Sequence, residues 1–248
     1  MRIGRALSSA GPVYVRRSAD DEHGEGWEAI EDPFSAFAAG RVPLDLGERV
    51  TGDLLAPSEP LVVVGVAQNG PAHASPVQAW LKSPRGVVAS GVPVTLRRDA
   101  GTTVAEGEIA IVIGRDTTGL TAATAHEYVL GVTAVNDLSS PDRVAFDPRN
   151  FESKAGVGYT PLGPWVDTAA DIDVVSLSIR VAGRTVGKTD AAALPVPIRE
   201  CLTYIASWAP LGPGDVVMTG APFTNAPIEP GVVVEVQVGG VTLVTPTR

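Results

Sequence analysis

The chain has 248 residues, 44% hydrophobic and 19% charged, enough to bury the core of one large domain or of one domain with a small appendage. A formal charge of −9 argues against a nucleic-acid partner, because phosphate binding needs a basic face. A single cysteine, Cys201, excludes an internal disulfide framework and a cysteine-built zinc site. The N-terminus is basic with no apolar run behind it, so no secretory signal is expected. The longest apolar stretch, residues 61–67, is far too short to span a bilayer. A soluble, cytoplasmic, β-rich protein with no membrane partner is expected.

Residues 1–55 read as a small N-terminal domain and 56–248 as the main body. Gly11-Pro12-Val13-Tyr14-Val15 predicts a short strand, followed by an acidic turn (Asp20, Asp21, Glu22, Glu25) and a second strand over residues 27–30. Pro33 suits a first helical position, which predicts one turn of helix over 34–39. Residues 54–60 read as a linker. The continuous apolar run 61–67 predicts a strand buried on both faces, and 108–114 predicts another. Residues 121–130 read as a short helix. Val175, Leu177, Ile179 and Val181 alternate along one strand face and lead through Ala182-Gly183-Arg184 into a hairpin. Ile198, Cys201, Leu202, Ile205 and Trp208 share one stripe of a helix over 198–208. Strands follow at 216–219, 232–238 and 241–245, the last two joined by Gly239-Gly240. Strands outnumber helices without regular alternation, so the fold class is α+β, mostly β.

Four features bear on chemistry. Glu106 and Glu108 lie two apart on a predicted strand and so point to one face, where a hard divalent cation would relieve their repulsion. A solvated strand edge explains the same pair without any ion. Asp137 follows Asn136 at the end of the apolar run 130–135, as a third oxygen ligand or as a turn cap. Lys82 and Lys154 each sit beside apolar neighbours in a cation-poor chain, as ligand contacts or as surface solvators. His73 follows a buried strand end, a place for a general base, and is otherwise a loop histidine. His23 lies in the acidic loop and His126 within the predicted helix.

The order of motifs resembles the fumarylacetoacetate hydrolase superfamily over nearly the whole chain. Val63-Val64-Gly65-Val66-Ala67-Gln68-Asn69 is similar to the start of that family's core. Glu106-Gly107-Glu108-Ile109-Ala110-Ile111-Val112-Ile113-Gly114 resembles its metal-binding strand, and Tyr128 through Asn136-Asp137 the segment with the third ligand. Lys154 keeps the family's spacing to Pro161-Leu162-Gly163-Pro164-Trp165. Pro213-Gly214-Asp215-Val216 and Thr219-Gly220 resemble its closing motifs. The resemblance implies a mixed β-roll core with a small N-terminal domain, a homodimer, and Mg²⁺ or Mn²⁺ on Glu106, Glu108 and Asp137. It also implies a small anionic or dicarbonyl substrate held by Lys82, Lys154, Thr219 and Gly220, with His73 and Lys154 as the catalytic candidates.

Departures from the family pattern are as informative. The family's Asn-Tyr-x-x-His-x-x-Glu keeps Asn69 and His73 here, but its tyrosine is Gly70 and its glutamate is Pro76. Lys82 follows His73 by only nine positions, so a short lid is expected. The acid of Lys-x-Phe-Asp is Val157, the second threonine of Thr-Gly-Thr-Pro is Ala221, and the arginine four residues after the third ligand is Pro141. Gln78 and Glu152 are the available substitutes for the missing carboxylate, though neither has the expected spacing. The expectation is a Mg²⁺-dependent enzyme that acts on a 2-oxo acid or β-dicarbonyl compound through a metal-stabilised enolate, as an isomerase or tautomerase, hydratase, decarboxylase or C–C hydrolase. The alternative is a catalytically weakened binding protein or assembly subunit with the same fold.

Overall fold

The computed structural model describes residues 1–17 and 26–248, so the acidic turn and His23 fall outside the described residues. Four strands open the chain: β1 (Arg2–Ser8), β2 (Gly11–Arg17), β3 (Trp27–Ile30) and β4 (Asp45–Val50), with helix α1 (Pro33–Ala38) between the last two. Each strand pairs antiparallel with the next. α1 begins at Pro33 as expected, capped by the Asp32 carboxylate, which accepts the Phe34 and Ser35 N–H groups at 3.2 Å. β1 and β4 have no counterpart among the predicted elements. Arg2 and Arg5 disguise β1, yet Arg5 is only 7% exposed because it pairs with Glu59 at 2.8 Å and lies over the Tyr14 ring. β4 is exposed along all but its last residue and forms a sheet edge, which needs no apolar alternation.

β5 (Leu54–Leu55) pairs with β1, and β6 (Val63–Gln68) forms a hairpin with β7 (Val77–Lys82). The apolar run predicted as a strand from residue 61 starts pairing only at Val63. Leu61 is 87% exposed, because the Asp215 carboxylate accepts the N–H groups of Leu61 and Val62 and bends the chain there. β8 (Val87–Val88) precedes β9 (Thr103–Ile113), an 11-residue strand, and β10 (Val129–Asn136) returns antiparallel to it. The helix expected over 121–130 is reduced to one 3-10 turn, Ala125–Tyr128. Val129 and Leu130 belong instead to β10, whose every residue is buried against β9, so tertiary pairing overrides local helix signals.

After helix α2 (Phe151–Lys154) come β11 (Thr160–Pro161), β12 (Val166–Asp167), and the hairpin β13 (Ser176–Val181) with β14 (Arg184–Asp190). Ala182 and Gly183 take φ of 48° and 77° in its two-residue turn. Helix α3 (Ile198–Trp208) buries Ile198, Cys201, Leu202 and Ile205 as predicted, but Trp208 is 80% exposed in its last turn and does not complete the stripe. β15 (Val216–Met218), β16 (Asn225–Ile228), β17 (Val233–Val238) and β18 (Val241–Pro246) complete the chain. The Gly239-Gly240 turn joins the last two as expected. No helix among the described residues is long and apolar enough to cross a membrane.

A 12-stranded mixed sheet runs in the order β4-β3-β2-β1-β12-β10-β9-β15-β6-β7, with β5 on β1 and β16 on β9. A four-stranded sheet, β14-β13-β17-β18, covers one face, and β8 and β11 form a small parallel pair. The fold is thus α+β and mostly β, as expected. One core layer joins Ile109 and Ile111 of β9 to Leu177, Ile179, Val236 and Leu243 of the smaller sheet and to α3. A second layer takes the opposite side chains, Ala110 and Val112, with Val135, Leu162 and Met218. β9 is therefore buried on both faces, and its N-terminal half carries the two glutamates.

Gly65 pairs with Trp80 across the β6–β7 hairpin. A Cβ on Gly65 would stand 2.5 Å from the indole Cε2 and Nε1, so glycine is what lets the ring lie flat on the strand. Gly65→Ala should therefore cost about 1–3 kcal/mol in urea unfolding through overpacking. A variant as stable as the parent would show that the ring moves aside freely.

Candidate active site

Period-two alternation brings Glu106 and Glu108 to the face of β9 that carries Ala110 and Val112. Asp137 follows the last residue of β10, and its N–H donates to the Glu106 carbonyl at 2.8 Å, which fixes this strand end beside β9. One carboxylate oxygen from each of the three lies within 4.8 Å of the others. Lys154, at the end of α2, donates through Nζ to Glu106 Oε2 at 2.6 Å, Asp137 Oδ2 at 2.8 Å and Ser139 Oγ at 2.7 Å. Its ammonium also lies 4.9 Å from the centroid of the Trp80 ring. Lys82 ends β7 with its side chain buried. It donates to Asp137 Oδ1, to the Tyr159 carbonyl at 2.7 Å and to the Leu138 carbonyl at 3.2 Å. All three ammonium hydrogens of Lys82 are thus committed inside the protein.

The loop after β15 supplies a different contact. Gly220 N–H donates to Glu108 Oε2 at 2.6 Å. Thr219, fully buried, donates its hydroxyl to the Ile109 carbonyl at 3.0 Å, so its side chain serves the backbone of β9.

His73 makes its contacts within its own loop. It sits exposed in the loop 69–76 that closes the β6–β7 hairpin, and its Nδ1 contacts the Ser75 N–H at 3.0 Å and the Ser75 carbonyl at 2.9 Å. Val63 pairs with Lys82, and Gln68 with Val77. The loop therefore leaves the hairpin at the end away from Lys82, roughly 16 Å along the strand at the usual rise. Asn69 Nδ2 donates to Gln78 Oε1 at 3.0 Å, so Gln78 is tied into the same loop, while Glu152 accepts from Arg143 Nε at 2.7 Å. Neither places a carboxylate beside His73.

The structure thus gathers Glu106, Glu108, Asp137, Lys82, Lys154 and the Gly220 N–H, while the contacts of His73 lie within its own loop. Sequence reasoning missed Ser139 and Trp80. Trp80 lies two residues before Lys82, a spacing that puts both on one face only once residues 77–82 are known to form a strand. Ser139 had no signal beyond its nearness to Asp137.

Electrostatics follow from burial and charge count. Burial, reinforced by Asp137 and Glu106, pushes the Glu108 carboxyl well above the usual carboxylate range. Burial also raises Glu106, with Lys154 opposing. In Asp137 the two lysines outweigh burial and hold the carboxyl low. Burial works against the charge on Lys154, but Asp137, Glu106 and Glu108 outweigh it and hold the ammonium above the usual lysine range. Burial prevails at Lys82 and lowers it, with Asp137 opposing.

Three carboxylates face two ammonium groups, so ionising all of them, Glu108 included, calls for one further positive charge. Lys154 already bridges two of the carboxylates as a cation, and among the described residues the Glu108 carboxylate accepts its hydrogen bond from a backbone N–H. A hard, all-oxygen donor set of this kind suits a hard divalent cation, which Glu106, Glu108 and Asp137 would hold.

The match to known families agrees with this geometry. Residues 49–247 match the model of the fumarylacetoacetate (FAA) hydrolase C-terminal domain, and the chain belongs to that family as one of its enzymes. Among its relatives, Protein Rv2993c of Mycobacterium tuberculosis is 32% identical over 264 residues, spanning 99% of this chain and 97% of that protein. The crystal structure of 5-carboxymethyl-2-hydroxymuconate delta-isomerase from Mycobacterium smegmatis is 33% identical with a TM-score of 0.89, covering 100% of this chain and 99% of that one. That of 2-hydroxyhepta-2,4-diene-1,7-dioate isomerase from Mycobacterium marinum is 30% identical with a TM-score of 0.90, covering 100% and 98%.

Proposed function

We propose that the chain moves a proton beside the keto group of a 2-oxo acid or β-dicarbonyl compound, with Mg²⁺ or Mn²⁺ held by Glu106, Glu108 and Asp137. The observation that carries this reading is the convergence of the three carboxylates with Lys154 bridging two of them. A bound divalent ion would supply Lewis acidity toward the keto oxygen. The protein's own groups divide the remaining work. Lys82 anchors one oxygen of Asp137 and Gly220 N–H anchors one oxygen of Glu108. Lys154, whose three donors are taken by Glu106, Asp137 and Ser139, receives a substrate carboxylate by exchanging one of these contacts for it. The two solved relatives described above are named isomerases, which supports proton relocation over hydrolysis.

Hydrolysis would also need an activated water. Pro76 stands where the family's dyad glutamate is expected, and a backbone group orients His73 in place of a carboxylate. General-base help is worth about 10²–10⁴ in rate, and loss of that factor should leave C–C cleavage of an acylpyruvate barely measurable. Proton–deuterium exchange at the carbon beside the keto group should remain readily measurable. Both are read in one deuterated reaction with Mg²⁺, by NMR for exchange and by product release for cleavage. Cleavage that outruns exchange would overturn the proposal.

A further inference from the structure

Gln68, the last residue of β6, ties together three segments distant in sequence. Its Oε1 accepts the Val196 N–H at 2.8 Å, in the approach to α3. Its Nε2 donates to the Thr219 carbonyl at 3.0 Å and to the Val196 carbonyl at 3.3 Å. Thr219 is held from the other side, since its N–H and its hydroxyl both donate to the Ile109 carbonyl, at 3.1 and 3.0 Å. The next residue, Gly220, has a φ of +87°, a conformation suited to glycine. A Cβ there would stand 2.7 Å from the Val66 carbonyl oxygen and 2.9 Å from Gln68 Cγ. The turn is therefore clamped between β6 and β9, and the N–H it presents is the one that meets Glu108 Oε2 at 2.6 Å.

We propose that Gln68 is a positioning residue for cation binding: it holds the Thr219-Gly220 turn so that the Gly220 N–H fixes the Glu108 carboxylate in its binding orientation. The inference rests on the proposed metal site at Glu106, Glu108 and Asp137. Its physical basis is preorganisation. A carboxylate held by a fixed donor loses its rotational freedom on folding, so less remains to be lost when the ion binds. Gln68 touches none of the three carboxylates and acts only through the turn.

The test uses Gln68→Glu and Gln68→Met. The first keeps the side-chain size and the acceptor for Val196 N–H but cannot donate to the Thr219 carbonyl as a carboxylate. The second removes every polar contact. Calorimetric titration with Mg²⁺, repeated with Mn²⁺, should give a Kd raised about 10–100-fold in both variants, the usual effect of losing an outer support of a metal site. A destabilised comparator remote from β9, Val15→Ala in the N-terminal core, should leave Kd unchanged and so separate positioning from general loosening. Should Gln68→Met fold poorly, Gln68→Glu carries the test. A parent protein that binds neither ion overturns the metal site itself. A parent that binds, with Gln68→Glu within twofold of it, overturns the role of Gln68 alone.

Discussion

Glu108→Gln should abolish Mg²⁺ binding while leaving the metal-free fold intact. Glu108 is 2% exposed, and its one hydrogen bond comes from the Gly220 N–H, which the amide oxygen of glutamine accepts equally well. The substitution keeps shape and contact and removes one negative charge from a donor set of three. Outer supports of metal sites are worth about 10–100-fold in affinity, so losing a charged ligand should exceed 100-fold. The metal-free variant should melt no lower than the parent, because burial and the neighbouring carboxylates already disfavour the charge on Glu108. Calorimetry and thermal unfolding of both proteins, each stripped with chelator, give the two readings. Undiminished Mg²⁺ affinity would remove Glu108 from the ligand set.

Lys82→Met should produce the largest loss of stability of any single change in the cluster. The lysine is 5% exposed and its ammonium serves the Asp137 carboxylate and the carbonyls of Leu138 and Tyr159. Methionine fills a similar volume and satisfies none of them. Breaking a buried ion pair by deleting one partner costs about 3–5 kcal/mol, because the other charge is left uncompensated. For a chain of this size that corresponds to a fall in Tm of roughly 6–20 °C. Lys154 would still face Asp137 Oδ2, so the variant should fold. A loss below about 1 kcal/mol in urea unfolding would mean that Asp137 draws its compensation elsewhere.

The residues that read correctly from the sequence are those whose geometry is local. Glu106 and Glu108 share a face because strand side chains alternate, and a two-residue spacing expresses that fully. The β17–β18 turn is equally local, since Gly239-Gly240 between two apolar runs readily takes the positive φ that a two-residue hairpin needs. Lys154 was legible through its spacing to the Pro161-Leu162-Gly163-Pro164-Trp165 run. β1 and β7 were not legible, because their burial comes from strands far away in the chain: β1 lies between β2 and β12, and β7 depends on β6. The same holds for Gln68 and Ser139. A glutamine at a strand end carries no mark of the carbonyls at 196 and 219 that it will meet. The helix expected over 121–130 failed for a related reason: the sheet claims Val129 and Leu130 for a partner that no short window contains.

The hairpin loop 69–76 closes on itself. Asn69 N–H donates to the Pro76 carbonyl at 3.0 Å, His73 N–H to the Gly70 carbonyl at 3.1 Å, and Asn69 Nδ2 to the Ser75 carbonyl at 2.9 Å. None of these bonds involves the strands that carry the carboxylates. Loop lengthening is cheap, about 0.6 kcal/mol for each doubling. The carboxylate cluster is built into β9 and the end of β10, whereas residues 69–76 can change in length without breaking a bond to either strand. Beyond Gln68, the loop and the cluster are free to vary separately.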